Sequence, residues 1–115
     1  MKKIAFLGLG VMGFHMASHL LKKYKRITIY NRTLNKSQKF KKMFNEFDVE
    51  IVKKPSDTAC NNDILISCVG NDNDLKEIYF DRDGIYKNLK GNTVVIDHTT
   101  VSPKTARLCF DKFKK

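Results

Sequence analysis

The 115-residue chain has no apolar run approaching the ~18 residues that a membrane-spanning helix needs. Its N-terminal Met-Lys-Lys leads straight into a strand-like stretch and a glycine loop, so no secretory signal is expected. Cysteine is scarce. Cys60, Cys68 and Cys109 are odd in number and lack C-x-x-C spacing, which argues against a disulfide framework or a zinc site and for reduced thiols in the cytoplasm. Repeats, low-complexity tracts and linkers are missing too, and the length suits one domain with a single core. Acidic residues are outnumbered, 12 against 22 lysines and arginines, for a formal net charge of +10. That balance raises nucleic acid as a partner. The lysines, however, are scattered over expected helix surfaces and ends (Lys22, Lys23, Lys25; Lys36, Lys39, Lys41, Lys42; Lys112, Lys114, Lys115), and no recognition-helix pattern or aromatic RNA-binding motif accompanies them. A solvated basic surface that helps attract a polyanion is the expectation, with neither nucleic acid nor membrane as partner.

What the chain does have is an apolar run that breaks into glycines at the spacing G-x-G-x-x-G: Ile4-Ala5-Phe6-Leu7-Gly8-Leu9-Gly10-Val11-Met12-Gly13. The run reads as a strand feeding a turn, and the turn opens a helix over 11–23 with an apolar face of Val11, Met12, Met16 and Leu20. A second strand, 26–30, arrives where a ~30-residue βαβ unit would place it. In a dinucleotide-binding crossover Gly8 permits the tight turn, Gly10 leaves room for the pyrophosphate, and Gly13 lets helix and strand approach closely. The pyrophosphate would sit on the helix N-terminus, where unpaired N–H groups and the dipole favour an anion.

Farther along, apolar runs continue to alternate with polar, helix-like segments. Strands are expected at 2–7, 26–30, 49–52, 63–69 and 93–97, the fourth buried on both faces through Ile64-Leu65-Ile66. Helices fall between them: one through Phe40, Met43 and Phe44 capped by Thr33 or Asn35, a brief one from Pro55 closed by Asn61-Asn62-Asp63, and one around 75–79. Gly84 and Gly91 mark turns, and a last helix starts near Ser102-Pro103. The predicted fold is α/β: a Rossmann-type, doubly wound parallel sheet in three layers over residues 1–115, ending before a sixth strand.

The end of the second strand selects the dinucleotide. An NAD site usually places Asp or Glu about 20 residues past the glycine loop, to accept hydrogen bonds from the adenosine ribose. Here the residues are Asn31, Arg32 and Thr33. Without the carboxylate a 2′-phosphate is not repelled, Arg32 offers a planar fork to it or stacks on adenine, and Thr33 offers a hydroxyl. NADP is therefore the expected cofactor, with NAD as the other candidate. The bland reading of the same residues is an Asx-turn and helix cap that carries a surface arginine.

Gly8 through Ala17 (GLGVMGFHMA) resembles the start of the β-hydroxyacid dehydrogenases, whose pattern is G-L-G-x-M-G-x-P-M-A and whose cofactor domain is shared with 6-phosphogluconate dehydrogenase. Asn31-Arg32-Thr33 is similar to the NADP-using members, the glyoxylate and succinic semialdehyde reductases. The stretch Asp97-His98-Thr99-Thr100-Val101-Ser102-Pro103 is similar to the family's D-x-S-T-x-x-P element. The resemblance implies that Gly8, Leu9, Gly10, Val11, Met12 and Gly13 bind the pyrophosphate and that Asn31, Arg32 and Thr33 hold the adenosine end. It places Val69, Gly70 and Asp74 along the cofactor, Thr100 near the nicotinamide, and Thr99 with Thr100 near the substrate carboxylate.

Three residues depart from the pattern: His15 and Gly70 stand where the family has proline, and Thr99 where it has serine. His15 and His19 lie one helical turn apart, but no carboxylate or cysteine completes a metal site, and none is expected. His98 is read as a solvated or structural histidine and Cys68 as a small core residue. The resemblance also implies a catalytic lysine and asparagine on a separate all-helical domain, and no lysine here matches that motif. The expected activity is thus the NADP(H)-binding half of a 3-hydroxyacid dehydrogenase or aldehyde-acid reductase, acting on a small hydroxy acid or semialdehyde once a helical domain completes it. The alternatives are a noncatalytic dinucleotide-binding module, or decayed enzyme fragment, and a basic nucleic-acid-associated domain.

Overall fold

Five strands lie side by side in the order β3-β2-β1-β4-β5, every neighbouring pair parallel. They are β1 (Ile4–Leu7), β2 (Arg26–Tyr30), β3 (Asp48–Ile51), β4 (Ile64–Ser67) and β5 (Val94–Asp97), interleaved with α1 (Val11–Tyr24), α2 (Leu34–Met43), α3 (Pro55–Ala59) and α4 (Asp72–Phe80). The computed structural model describes residues 3–59, 62–69, 72–80, 82, 84–86 and 93–97, without the side chains of 72–75 and 97. The expected last helix therefore lies outside the described residues, as do Cys60, Asn61, Gly70, Gly91, His98, Thr99, Thr100 and Cys109.

Alternation along the strands divides the interior into two cores. Ile4, Phe6, Ile27, Ile29, Val49 and Ile66 face α1 and α2, where Ala17, Leu21, Phe40 and Phe44 meet them. Ala5, Leu7 and Leu65 face the other way, against Ala59 of α3 and Ile78 and Tyr79 of α4. A strand covered by helices on both faces must be apolar throughout, which is why β1 reads as an unbroken hydrophobic run. The doubly wound, three-layer architecture expected from the sequence is the one observed.

The helices end where local chemistry ends them. Lys22 and Lys23 occupy the last turn of α1, and Lys41 and Lys42 that of α2, where positive charge complements the carbonyl end of the dipole. Lys22 also lies over the Phe44 ring at 6.0 Å and Lys25 over Phe47 at 5.4 Å, so part of the basic surface covers the aromatic edge of the first core. Buried Asn62 donates from Nδ2 to the Thr58 carbonyl at 2.9 Å, closing α3 much as its Asn-rich sequence suggests.

Two expectations need correction. Val11 and Met12 do not join the buried face of α1: they are 93% and 70% exposed, while Gly13, Ala17, Ser18 and Leu21 carry that face and Met16 and Leu20 flank it. They belong to the first helical turn, beyond the covering of the sheet. Helix α4 begins at Asp72, earlier than its apolar residues suggest. Among the described residues, no helix is long and apolar enough to cross a membrane.

Candidate functional site

Strand register decides which residues reach the carboxyl edge of the sheet. Leu7 pairs with Tyr30 on one side and Ser67 on the other, and Ser67 pairs with Asp97, so β1, β2, β4 and β5 end level. The chain runs from β1 outward to β2 and β3, then returns to the other side of β1 for β4 and β5. The reversal between β1 and β4 opens a crevice at their carboxyl ends, the place where open α/β sheets take ligands. Gly8, Asn31 and Cys68 are the first residues past the edge. Gly8 N donates to the Tyr30 carbonyl at 2.8 Å and Cys68 N to the Leu7 carbonyl at 2.9 Å, so the crevice floor is tied across three strands.

The glycine loop is shaped by contact. Gly8 sits at φ +103, and a Cβ there would collide with the backbone carbonyl of Cys68. A Cβ on Gly13 would strike the Gly8 carbonyl in the same way, so α1 rests directly on the loop. Gly10 differs: a Cβ there would meet nothing within 4 Å, and the residue is exposed. Steric need among the described residues explains Gly8 and Gly13 but not Gly10, where a Cβ would stand in open space. Gly10 is also the N-cap of α1, it has no side chain with which to cap that end, and no acidic residue occupies the first turn. First-turn amides have no partner within their helix, so this end offers N–H groups and a positive dipole to an anion.

Asn31 links this loop to the end of β2. Its Oδ1 accepts the Leu9 N–H at 2.9 Å and its Nδ2 donates to the Thr33 carbonyl at 2.9 Å. Asn31 thus braces the glycine loop through its side chain, and the Asx-type turn coexists with a place at the site. Thr33 is the N-cap of α2 by its extended backbone, without a side-chain cap hydrogen bond. Asn31→Ala leaves the partly buried Leu9 N–H without its acceptor and should cost about 1–2 kcal/mol. Thr33→Ala, which breaks no such bond, should change stability by less than about 0.5 kcal/mol. Thermal denaturation of both variants checks this, and equal losses would remove the bracing role.

Arg32 extends from the β2 edge toward α4, where its Nη2 lies 3.7 Å from Oε2 of Glu77, both side chains more than half exposed. Tyr30 packs with the second core just below this pair. Burial pushes its phenol above the ordinary tyrosine value, the Glu77 charge adds to the rise and Arg32 opposes it. The hydroxyl is therefore protonated at neutral pH. Ser67 at the end of β4 shares a buried 2.7 Å hydrogen bond with the Tyr79 hydroxyl, which anchors α4 to the crevice floor.

Of the residues expected at the site, Gly8, Leu9, Gly10, Asn31, Arg32, Thr33 and Val69 lie on the loops that leave the carboxyl ends of β1, β2 and β4, and Val11, Met12 and Gly13 form the first turn of α1. Asp74 lies on α4, with its side chain outside the description. Gly70, Thr99 and Thr100 lie outside the described residues. Cys68 is half-buried against the first core, in keeping with a small packing residue. His15 and His19 contact each other on the exposed face of α1, with Nε2 to Nε2 3.1 Å. Glu77 and Tyr30 had no signature in the sequence, because only packing of α4 against the sheet brings them to Arg32.

A glycine loop feeding a helix N-terminus at the switch point of a 3-2-1-4-5 parallel sheet defines a dinucleotide-binding domain. Residues 3–115 match the family model described as the NAD binding domain of 6-phosphogluconate dehydrogenase. The chain belongs to this family of NAD-binding domains. It is 40% identical over 107 residues to an uncharacterised oxidoreductase of Shewanella frigidimarina, covering 93% of this chain and 36% of that protein. It is 31% identical over 105 residues to a probable 3-hydroxyisobutyrate dehydrogenase-like protein of Arabidopsis thaliana, covering 90% of this chain and 30% of the other. The fold matches the solved structure of Psf3 in complex with NADP+ and 2-OPP with a TM-score of 0.86 at 21% identity, over 96% of this chain and 38% of that one. The chain thus spans about a third of the length of these relatives.

Proposed function

We propose that this chain is the NADP(H)-binding part of an oxidoreductase that moves hydride between nicotinamide and the β-carbon of a small hydroxy acid or semialdehyde. The observation that carries the reading is Gly10, whose side-chain position faces open space among the described residues, at a helix N-terminus that it cannot cap with a side chain. The family membership and the NADP+ complex of the structural neighbour support it.

The residues fit such a cofactor on their own chemistry. The first-turn amides of α1 would hold the pyrophosphate, and Asn31 would keep the loop in the shape that presents them. Arg32, with no carboxylate at the end of β2, would take a 2′-phosphate through its guanidinium fork. Bound there, the dinucleotide supplies the hydride. Thr99 and Thr100 are proposed to meet the nicotinamide and substrate carboxylate, as the resemblance implies, with Val69, Gly70 and Asp74 along the ribose. Proton transfer is assigned to no residue of this chain, and a helical domain is proposed to supply it. A cytoplasmic location belongs to the same proposal and rests on the cysteine spacing.

Calorimetric titration with NADPH and with NADH tests the reading. NADPH should bind more tightly, and Arg32→Ala should weaken NADPH by about 10- to 100-fold, the worth of a charge-assisted hydrogen bond at ~1.5–3 kcal/mol, while sparing NADH. Failure of both nucleotides to bind would overturn the proposal. Reduction of glyoxylate or succinic semialdehyde after adding a helical domain separates an enzyme half from a noncatalytic module, which would bind cofactor without turnover.

A further inference from the structure

We propose that Glu77 determines cofactor specificity by competing for Arg32, so that it restrains the preference of the site for NADPH over NADH; this rests on the dinucleotide reading above. The end of β2 lacks the carboxylate that usually receives the adenosine ribose hydroxyls, yet a carboxylate from a different element reaches the guanidinium of Arg32, the residue that follows Asn31 there. Glu77 projects from α4, and its Oε2 stands 3.7 Å from Nη2 of Arg32. The Tyr30 phenol, at the end of β2, feels both charges. Strand alternation is the reason. Ile27 and Ile29 face α1 and α2, so the Tyr30 side chain packs on the other face of the sheet, the face that α4 covers.

The two side chains are suited to opposite ligands. A guanidinium binds a 2′-phosphate through parallel N–H donors, and a carboxylate repels it. A carboxylate accepts hydrogen bonds from a ribose diol, which a guanidinium cannot do. While Glu77 holds Arg32, an incoming 2′-phosphate must take over the guanidinium and sit near an uncompensated negative charge. NADH carries no phosphate there and meets a hydroxyl acceptor instead. Both partners are more than half exposed, so solvent and salt weaken the coupling and the effect is modest.

The test is titration of the whole chain and of Glu77→Gln with NADPH and NADH at low and high salt. Glutamine keeps the size of the side chain and removes its charge. We expect Glu77→Gln to tighten NADPH by roughly two- to fivefold and to leave NADH unchanged or weaker, with the gain shrinking at high salt. In an Arg32→Ala background most of the gain on NADPH should vanish, because no guanidinium is left to release. An NADPH-to-NADH ratio that does not rise in Glu77→Gln, or a full gain that persists without Arg32, overturns the inference while leaving the dinucleotide site intact. Absence of binding by the unaltered chain overturns the dinucleotide reading and the inference together.

Discussion

Gly8→Ala should lower the melting temperature by at least about 10 °C, whereas Gly10→Val should melt close to the parent and fail to bind dinucleotide. The two glycines are two residues apart in one loop, and their surroundings are opposite. At Gly8 the φ of +103 is a conformation that L side chains rarely adopt, and the added Cβ would be driven into the Cys68 carbonyl. The backbone term alone costs about 1–3 kcal/mol. Moving the loop away strains the bonds from Gly8 N to the Tyr30 carbonyl and from Cys68 N to the Leu7 carbonyl, each worth about 1 kcal/mol. Together these reach about 3–5 kcal/mol, a large share of the ~5–15 kcal/mol that holds a domain folded. At Gly10 the backbone is ordinary, with φ −65 and ψ −174, and no atom lies within 4 Å of a Cβ. A Cβ there has room among the described residues, and a valine would stand where a pyrophosphate approaches the helix end, so NADPH affinity should fall by at least about tenfold, or 1.4 kcal/mol. Circular dichroism melts and calorimetric titrations measure both outcomes. Equal melting losses in the two variants, or tight binding by Gly10→Val, would contradict this division of roles.

Phe40→Ala should cost about 3–5 kcal/mol, among the largest losses expected from truncating a single side chain in the first core. Phe40 is fully buried, and its ring lies 5.0 Å edge-on from Phe14 of α1 and 4.8 Å from Phe44 beyond the end of α2. It is the side chain through which α2, whose residues are otherwise mostly polar, grips both the sheet and α1. Losing it leaves a cavity between elements that the strands hold apart, so collapse cannot refill it. Met43, 56% exposed on the same helix, serves as the comparison, since Met43→Ala should change stability by less than about 0.5 kcal/mol. Urea unfolding curves report both values. A Phe40→Ala loss as small as that of Met43→Ala would mean α2 is not anchored through this ring.

The amino-acid sequence by itself determined the layering of this protein. Five short apolar runs, separated by segments with helical periodicity, specify a parallel sheet covered on both faces, because only that arrangement buries both sides of β1 and β4. The bounds of β2 agree with the sequence reading; β1 and β5 start later by two residues and one, and β3 and β4 differ by one or two residues at both ends. The glycine spacing named the loop, and the absence of an acid at Asn31-Arg32-Thr33 is a fact of composition. Tertiary structure decided what those residues do. Whether Val11 and Met12 are buried depends on how far α1 overhangs the sheet, which periodicity along one helix does not encode. Asn31 holds Leu9 across 22 positions of sequence, and Glu77 meets Arg32 across 45, because parallel strands in level register bring β1, β2 and the helix after β4 to one edge. Local pattern is set by neighbours within a turn or a pleat. The charges and braces of a binding site are set by register and crossover, and those exist only once the sheet has closed.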